Sequence, residues 1–152
     1  MKKALVTGGC GFIGSNLVKE LVRQGWQVDI VDDMSNGHLN LLEGVNLRVL
    51  INGSFYTAYK AQNIERKQHE VVVIQDDFAN DHTLNSVYQG DYDVIFHQAA
   101  VPRVSYSVEQ PWHTTEVNVA KTVKLFEAAN GKVRRIVWAS SSSVYGGAEN
   151  LP

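Results

Sequence analysis

The feature that most limits what this chain can fold into is the stretch VTGGCGFIGSNLV near its start. There Gly8, Gly11 and Gly14 stand three residues apart, between an apolar run and an amphipathic one. Glycines so placed permit a tight turn, let the backbone approach a pyrophosphate and allow close packing of helix on sheet, while the free amides at the helix start attract the anion. A tight strand-to-helix turn with no ligand satisfies the same pattern, so a second feature is needed. Asp32 supplies it, 18 residues after Gly14 at the end of the next apolar run. A carboxylate there accepts both hydroxyls of an adenosine ribose and repels a 2′-phosphate. Asp33 strengthens that preference, and VDDMSNG contains no arginine. The expectation is a dinucleotide site that takes NAD rather than NADP.

Beyond the turn, short β-branched runs alternate with longer amphipathic ones, the pattern of βαβ units on a parallel sheet. Strands are predicted at Ala4–Val6, Gln27–Val31, Glu70–Gln75, Val94–His97 and Arg135–Ser140. Ile13, Leu17 and Leu21, joined by Val18 and Val22, recur at helical spacing until Gly25 stops the helix. A second helix is predicted over Asp81–Tyr88 and a third over Pro111–Asn130, where Val119, Val123 and Phe126 share a face before Gly131. Residues 38–69 have no clear period and read as a mostly surface, irregular excursion with a short helix or two. The fold class expected is α/β, a doubly wound parallel sheet of Rossmann type, forming one domain over residues 1–152 and truncated after the fifth strand.

Composition narrows the function classes. With 152 residues, 44% of them hydrophobic, the chain can bury the core of one ordinary domain. Its net charge is −2 and its basic residues cluster only in pairs such as Lys2-Lys3 and Arg134-Arg135, which disfavours a nucleic-acid partner. Apolar runs reach four residues, as at Val71–Ile74, so neither a membrane span nor a secretory leader is expected, and the localisation expected is cytoplasmic. The lone Cys10 and five scattered histidines give no metal-ligand spacing, and no metal is expected.

The motifs together also resemble a known family. Thr7 followed by GxxGxxG resembles the short-chain dehydrogenase/reductase superfamily. TGGCGFIGSNLV, VDDMSNG, QDDFANDHTL, DVIFHQAAVPRVSYSVEQP, EVNV and VWASSSSVYG each resemble segments of its extended branch, the NAD-dependent nucleotide-sugar epimerases and dehydratases of UDP-glucose 4-epimerase type. The resemblance covers nearly the whole chain apart from 38–69, and it is far more specific for the branch than for the reaction. It implies that Gly8, Gly11 and Gly14 line the pyrophosphate of NAD, with Phe12 and Ile13 giving backbone contacts. Asp32 and Asp33 would hold the adenosine end with Asn36 nearby, and Asp77 and Phe78 would flank the adenine. Ala99 and Ala100 would let the strand end pass close to the cofactor, Asn118 would be the cofactor-side asparagine, and Ser140 would stand beside the cofactor at its strand's carboxyl edge. Ser141 would be the catalytic serine whose hydroxyl bonds the sugar oxygen being oxidised. Without the family, Asp77 reads as a turn residue, Asn118 as a satisfied buried amide and Ser141 as part of a polar strand-end turn.

The resemblance further implies hydride abstraction from C4 of a UDP- or dTDP-sugar, a 4-keto intermediate and re-reduction, with dehydratase or decarboxylase chemistry as the neighbouring alternatives. The family's proton transfer needs a tyrosine and lysine in a YxxxK pair beyond the VYG motif that ends at Tyr145 and Gly146, and the sequence stops at Pro152 before such a pair. Hence a non-catalytic NAD-binding half-domain stays open beside the enzyme, and the expectation is the N-terminal part only, without the substrate-gripping C-terminal region. Tyr56 and Lys60 do form a YxxxK, but they lie between the second and third predicted strands, far from the serine segment. A fifth strand left as a sheet edge, or the Pro111–Asn130 helix that relatives use in dimers, makes a homodimer an expectation.

Overall fold

The computed structural model describes residues 2–51, 54–59 and 70–146. Its centre is a single sheet whose strands are β1 (Lys3–Thr7), β2 (Gln27–Asp32), β3 (Leu47–Ile51), β4 (Ser54–Tyr59), β5 (Val71–Gln75), β6 (Val94–His97) and β7 (Arg135–Trp138), in the spatial order β4-β3-β5-β2-β1-β6-β7. Six of these run parallel, and β4 pairs antiparallel with β3 at one edge. The doubly wound parallel sheet expected from the sequence is therefore present.

Side chains alternate across the sheet, as the pleat requires. Ala4 and Val6 of β1, Val28 and Ile30 of β2 and Val71 and Val73 of β5 join one core layer, under helix α1 (Phe12–Arg23) through Val18, Leu21 and Val22. Leu5, Val31, Ile74 and Ile95 join the opposite layer, with Val87 of α2 (Asp81–Tyr88) and Leu125 and Ala129 of α5 (Thr122–Ala129). Full burial of a Leu or Ile contributes ~1.5–3 kcal/mol, so each layer is a substantial source of stability. Two short helices, α3 (Val104–Glu109) and α4 (Pro111–Thr115), follow β6, and a π-helical turn at Glu116–Lys121 joins α4 to α5.

Three sequence expectations are corrected. The segment after residue 38 is not simply an irregular excursion: a 3₁₀ turn at Leu39–Leu42 is followed by β3 and β4, and Leu42, Val45, Leu47 and Val49 are buried. Leu47 and Val49 alternate with the solvent-facing Arg48, a two-residue period too short to stand out among leucines and asparagines. Residues 60–69, including Lys60 of the Tyr56/Lys60 pair, lie outside the described residues. The helical stretch at 111–129 exists, but its core-facing residues are Thr122, Leu125 and Ala129, while Val119 and Val123 face solvent at 55% and 59% exposure. The stretch carries two apolar stripes, and periodicity cannot tell which one meets the sheet. Ile13 likewise points outward at 66% exposure, leaving Val18, Leu21 and Val22 as the buried stripe of α1.

Candidate cofactor site at the carboxyl ends of the strands

Because β1, β2, β5, β6 and β7 are parallel, their carboxyl ends open on one edge of the sheet, where ligands of open α/β sheets bind. Thr7, Asp32, Gln75, His97 and Trp138 are their last residues.

The glycine turn follows Thr7. Gly8 takes φ +68° and donates its amide to the Val31 carbonyl at 2.9 Å, which ties the turn to the end of β2. A Cβ at Gly14 would collide with the Gly8 carbonyl and stand 2.8 Å from the Gly9 Cα, so this glycine is required by the packing of α1 on the turn. Gly11 differs: a Cβ there would meet only the Gly8 carbonyl, at 3.3 Å, and otherwise open space. Gly11 is also the cap of α1 and makes no side-chain cap bond, so the first amides of the helix, on Phe12, Ile13 and Gly14, lack a capping side chain. Phe12 and Ile13 expose their side chains around this helix start. The geometry suits an anion seated on the turn.

Asp32 stands beside it. It is 8% exposed; one carboxylate oxygen accepts the Cys10 amide and the other the Met34 amide, both at 2.9 Å. Burial pushes its carboxyl above the ordinary value, and the two amides pull it back. Each oxygen keeps lone-pair capacity for a further donor such as a ribose hydroxyl. Met34 adopts φ +63°, and the chain folds back so that His38 donates to the Cys10 carbonyl at 2.9 Å. Gly37 makes that return possible, since a Cβ there would stand 2.6 Å from Asp32 Oδ1. Cys10 is enclosed in this fold-back, and burial, with Asp32 alongside, pushes its thiol up to about 12, so it is an inert packing group. Asp33 accepts the Ser35 amide and hydroxyl at 2.9 and 2.6 Å, and Asn36 is exposed next to it.

At the end of β5, Asp77 accepts the Ala79 amide at 2.8 Å and the Lys121 ammonium at 2.7 Å. Phe78 turns inward, edge-on to His97 with ring centres 4.9 Å apart, so its side chain belongs to the core and only its backbone borders the sheet edge. After β6, the Ala99 amide donates to Thr7 Oγ1 at 3.2 Å and Ala100 is exposed. Asn118 sits inside the π-helical turn and clamps Val101 at both ends: its Oδ1 accepts the Val101 amide at 2.8 Å and its Nδ2 donates to the Val101 carbonyl at 3.0 Å. It thereby fixes the strand-exit loop that carries Ala99 and Ala100. Ser140 and Ser141 lie exposed beyond β7, whose last residue is Trp138 rather than Ser140. Ser141 Oγ accepts the Ser143 amide at 3.2 Å and caps the short turn Ser142–Tyr145, leaving its O–H free to donate.

Sequence reasoning missed the buried link beneath this edge. His97 is 1% exposed, with Nδ1 2.6 Å from Thr7 Oγ1 and Nε2 2.9 Å from Thr122 Oγ1. Burial lowers its pKa to about 4, so the ring is neutral near pH 7 and joins β1, β6 and α5. Its position at the end of VIFH, in step with the buried Ile95, was the available signal. Lys121 and Gly37 carried no local signal, because their partners are remote or lie across a turn.

Among the described residues no helix is long and apolar enough to cross a membrane. Comparison with known proteins matches residues 4–152 to the NAD dependent epimerase/dehydratase family. The chain is 32% identical to the bifunctional UDP-glucose 4-epimerase and UDP-xylose 4-epimerase 1 of Pisum sativum over 99% of its length and 40% of that protein's. Among solved structures it is similar to the UDP-N-acetylglucosamine 4-epimerase of Methanobrevibacter ruminantium M1 in complex with UDP-N-acetylmuramic acid, with TM-score 0.75, 30% identity and coverage of 99% of this chain and 41% of the other. It is also similar to the UDP-glucose-4-epimerase of Stenotrophomonas maltophila with bound NAD and formylated UDP-arabinopyranose, with TM-score 0.75, 26% identity and coverage of 100% and 40%. The chain thus spans about 40% of the length of these relatives.

Proposed function

Since the chain belongs to the NAD-dependent epimerase/dehydratase family, we propose that it is the NAD-holding part of a nucleotide-sugar 4-epimerase-like enzyme. The observation that carries this reading is Gly11, where the turn leaves the room that a Cβ would fill, in front of uncapped helix amides. The amides of Phe12, Ile13 and Gly14 receive the pyrophosphate, and Asp32 accepts the adenosine ribose hydroxyls and rejects a 2′-phosphate. Asp33 adds negative charge at the same rim, and Ala99 and Ala100 leave room for the cofactor beside β6. NAD, when bound, supplies the hydride acceptor and donor for C4 of a UDP- or dTDP-sugar. Ser141, whose O–H is free, would donate to the sugar oxygen at that carbon, and Asn118 holds the loop that carries Ala99 and Ala100 at this edge.

The test is calorimetric titration of the 152-residue chain with NAD⁺, with NADP⁺, and then with a UDP-sugar added to the NAD⁺ complex. Micromolar NAD⁺ binding with NADP⁺ much weaker is expected; no NAD⁺ binding by a folded sample would overturn the reading. Nicotinamide absorbance of the same sample after UDP-sugar addition tests whether this chain turns over by itself: reduction of bound NAD⁺ would show hydride transfer by these 152 residues, and no reduction with NAD⁺ bound would show that they hold the cofactor without autonomous catalysis.

A further inference from the structure

A dinucleotide whose pyrophosphate lies on the turn after β1 and whose ribose lies on Asp32 after β2 must carry its base outward along the sheet order, toward β5. The exits of these two strands abut: Asp32 is in register with Gln75, and the Asp76 amide donates to the Asp32 carbonyl at 3.2 Å. What waits there is a lysine that neither the glycine turn nor the family resemblance assigns. Lys121, the last residue of the π-helical turn, places Nζ 2.7 Å from Asp77 Oδ2 and 3.9 Å from Glu116 Oε1, and Asp33 is near enough for its charge to act on it.

The pair is incompletely used. Asp77 Oδ1 accepts the Ala79 amide and Oδ2 accepts Lys121, so each oxygen keeps lone-pair capacity. An ammonium has three donors, and only the contact to Asp77 is of hydrogen-bond length. Both side chains are partly open to solvent, at 22% for Lys121 and 38% for Asp77. Side by side they present an acceptor and a donor, which is the pattern needed to read the edge of a purine. A bridge that merely tied the π-helical turn to the exit of β5 would be indifferent to the base.

We propose that Lys121, with Asp77, reads the base of the bound dinucleotide. Asp77 accepts from a 6-amino group, and Lys121 donates to the base where that position carries a 6-carbonyl. The inference rests on the cofactor reading above and deepens it by naming a specificity-determining residue. Its consequence is tolerance: with the lysine present, a hypoxanthine base, which carries a carbonyl where adenine carries the amino group, still finds a donor. Without the lysine that carbonyl faces the Asp77 carboxylate alone.

The experiment measures dissociation constants of NAD⁺ and nicotinamide hypoxanthine dinucleotide for the full chain, for Lys121→Met and for Lys121→Arg, each checked for folding by circular dichroism. In Lys121→Met the preference for NAD⁺ over the hypoxanthine analogue is expected to rise about tenfold, the effect of losing one charge-assisted hydrogen bond. In Lys121→Arg, which keeps a donor, it is expected to stay within about threefold of the parent. Equal weakening of both ligands in Lys121→Met would show a purely structural bridge and overturn the inference, as would no change in either. The parent chain decides the underlying reading separately: if, folded, it binds neither dinucleotide, the cofactor site falls and this inference with it, whereas binding with an unchanged preference in Lys121→Met removes only Lys121.

Discussion

Gly11 and Gly14 belong to one motif and do different things. A side chain at Gly14 must displace the backbone of the turn, so that position is structural. At Gly11 a Cβ meets one backbone atom, the Gly8 carbonyl at 3.3 Å, so Gly11→Val at this helix cap is expected to fold with a loss of about 1–2 kcal/mol while NAD⁺ affinity falls at least about 100-fold, because the branched side chain takes the place of the pyrophosphate. Titration calorimetry beside a thermal melt checks it, and retained binding would show that the turn is not the cradle. Asp32 illustrates the complementary case of one residue with two duties. Its carboxylate organises its own loop through the Cys10 and Met34 amides, so loss of ligand affinity on its removal has to be read together with loss of that loop. Three spaced glycines and a carboxylate at the next strand end were legible from sequence because their partners are local. The engagement of Asn118 with Val101 was not, since the two residues meet only when the π-helical turn packs over the exit of β6.

At the scale of elements, the clearest departure from the sequence is β3. It sits inside the sheet between β4 and β5, and Leu47 is fully buried. Leu47→Ala is therefore expected to lower stability by about 2–4 kcal/mol, the range for a buried leucine truncated in a packed core. Denaturant unfolding measures this directly, and a loss below about 0.5 kcal/mol would return the segment to the surface. The π-helical turn is the second departure. Extra residues in a turn are often found at functional sites, and here the turn places Asn118 against the loop after β6 and Lys121 against Asp77. No local composition announces such a turn, because EVNVAK is unremarkable as helix sequence.

For the molecule as a whole, His97 couples stability to pH. Its folded value of about 4 lies below the unfolded value of 6.5, so the unfolded chain binds the extra proton between them. The contribution is complete above pH 6.5 and is lost as pH falls toward 4, a swing of about 3 kcal/mol. Unfolding free energy measured at about pH 7 and about pH 5 is expected to fall more for the parent chain than for His97→Gln, which carries no titrating ring. Parallel losses would show that other groups set the acid limit. The swing has a wide reach because the ring bonds Thr7 and Thr122, and so touches the glycine turn, β6 and α5 together.

The sequence alone determined the fold class, the glycine turn, the carboxylate at the end of the second strand and the family, because each rests on spacing within one strand–turn–helix unit or on motifs in chain order. It could not show that residues 47–51 enter the sheet, which stripe of the 111–129 helix meets the core, that Phe78 turns inward, or that Lys121 finds Asp77. Those outcomes are contacts between residues distant in the chain, and 44 positions separate Lys121 from Asp77. They are settled by which faces the sheet has left to cover and which buried polar groups need partners, and those demands exist only once the strands have assembled.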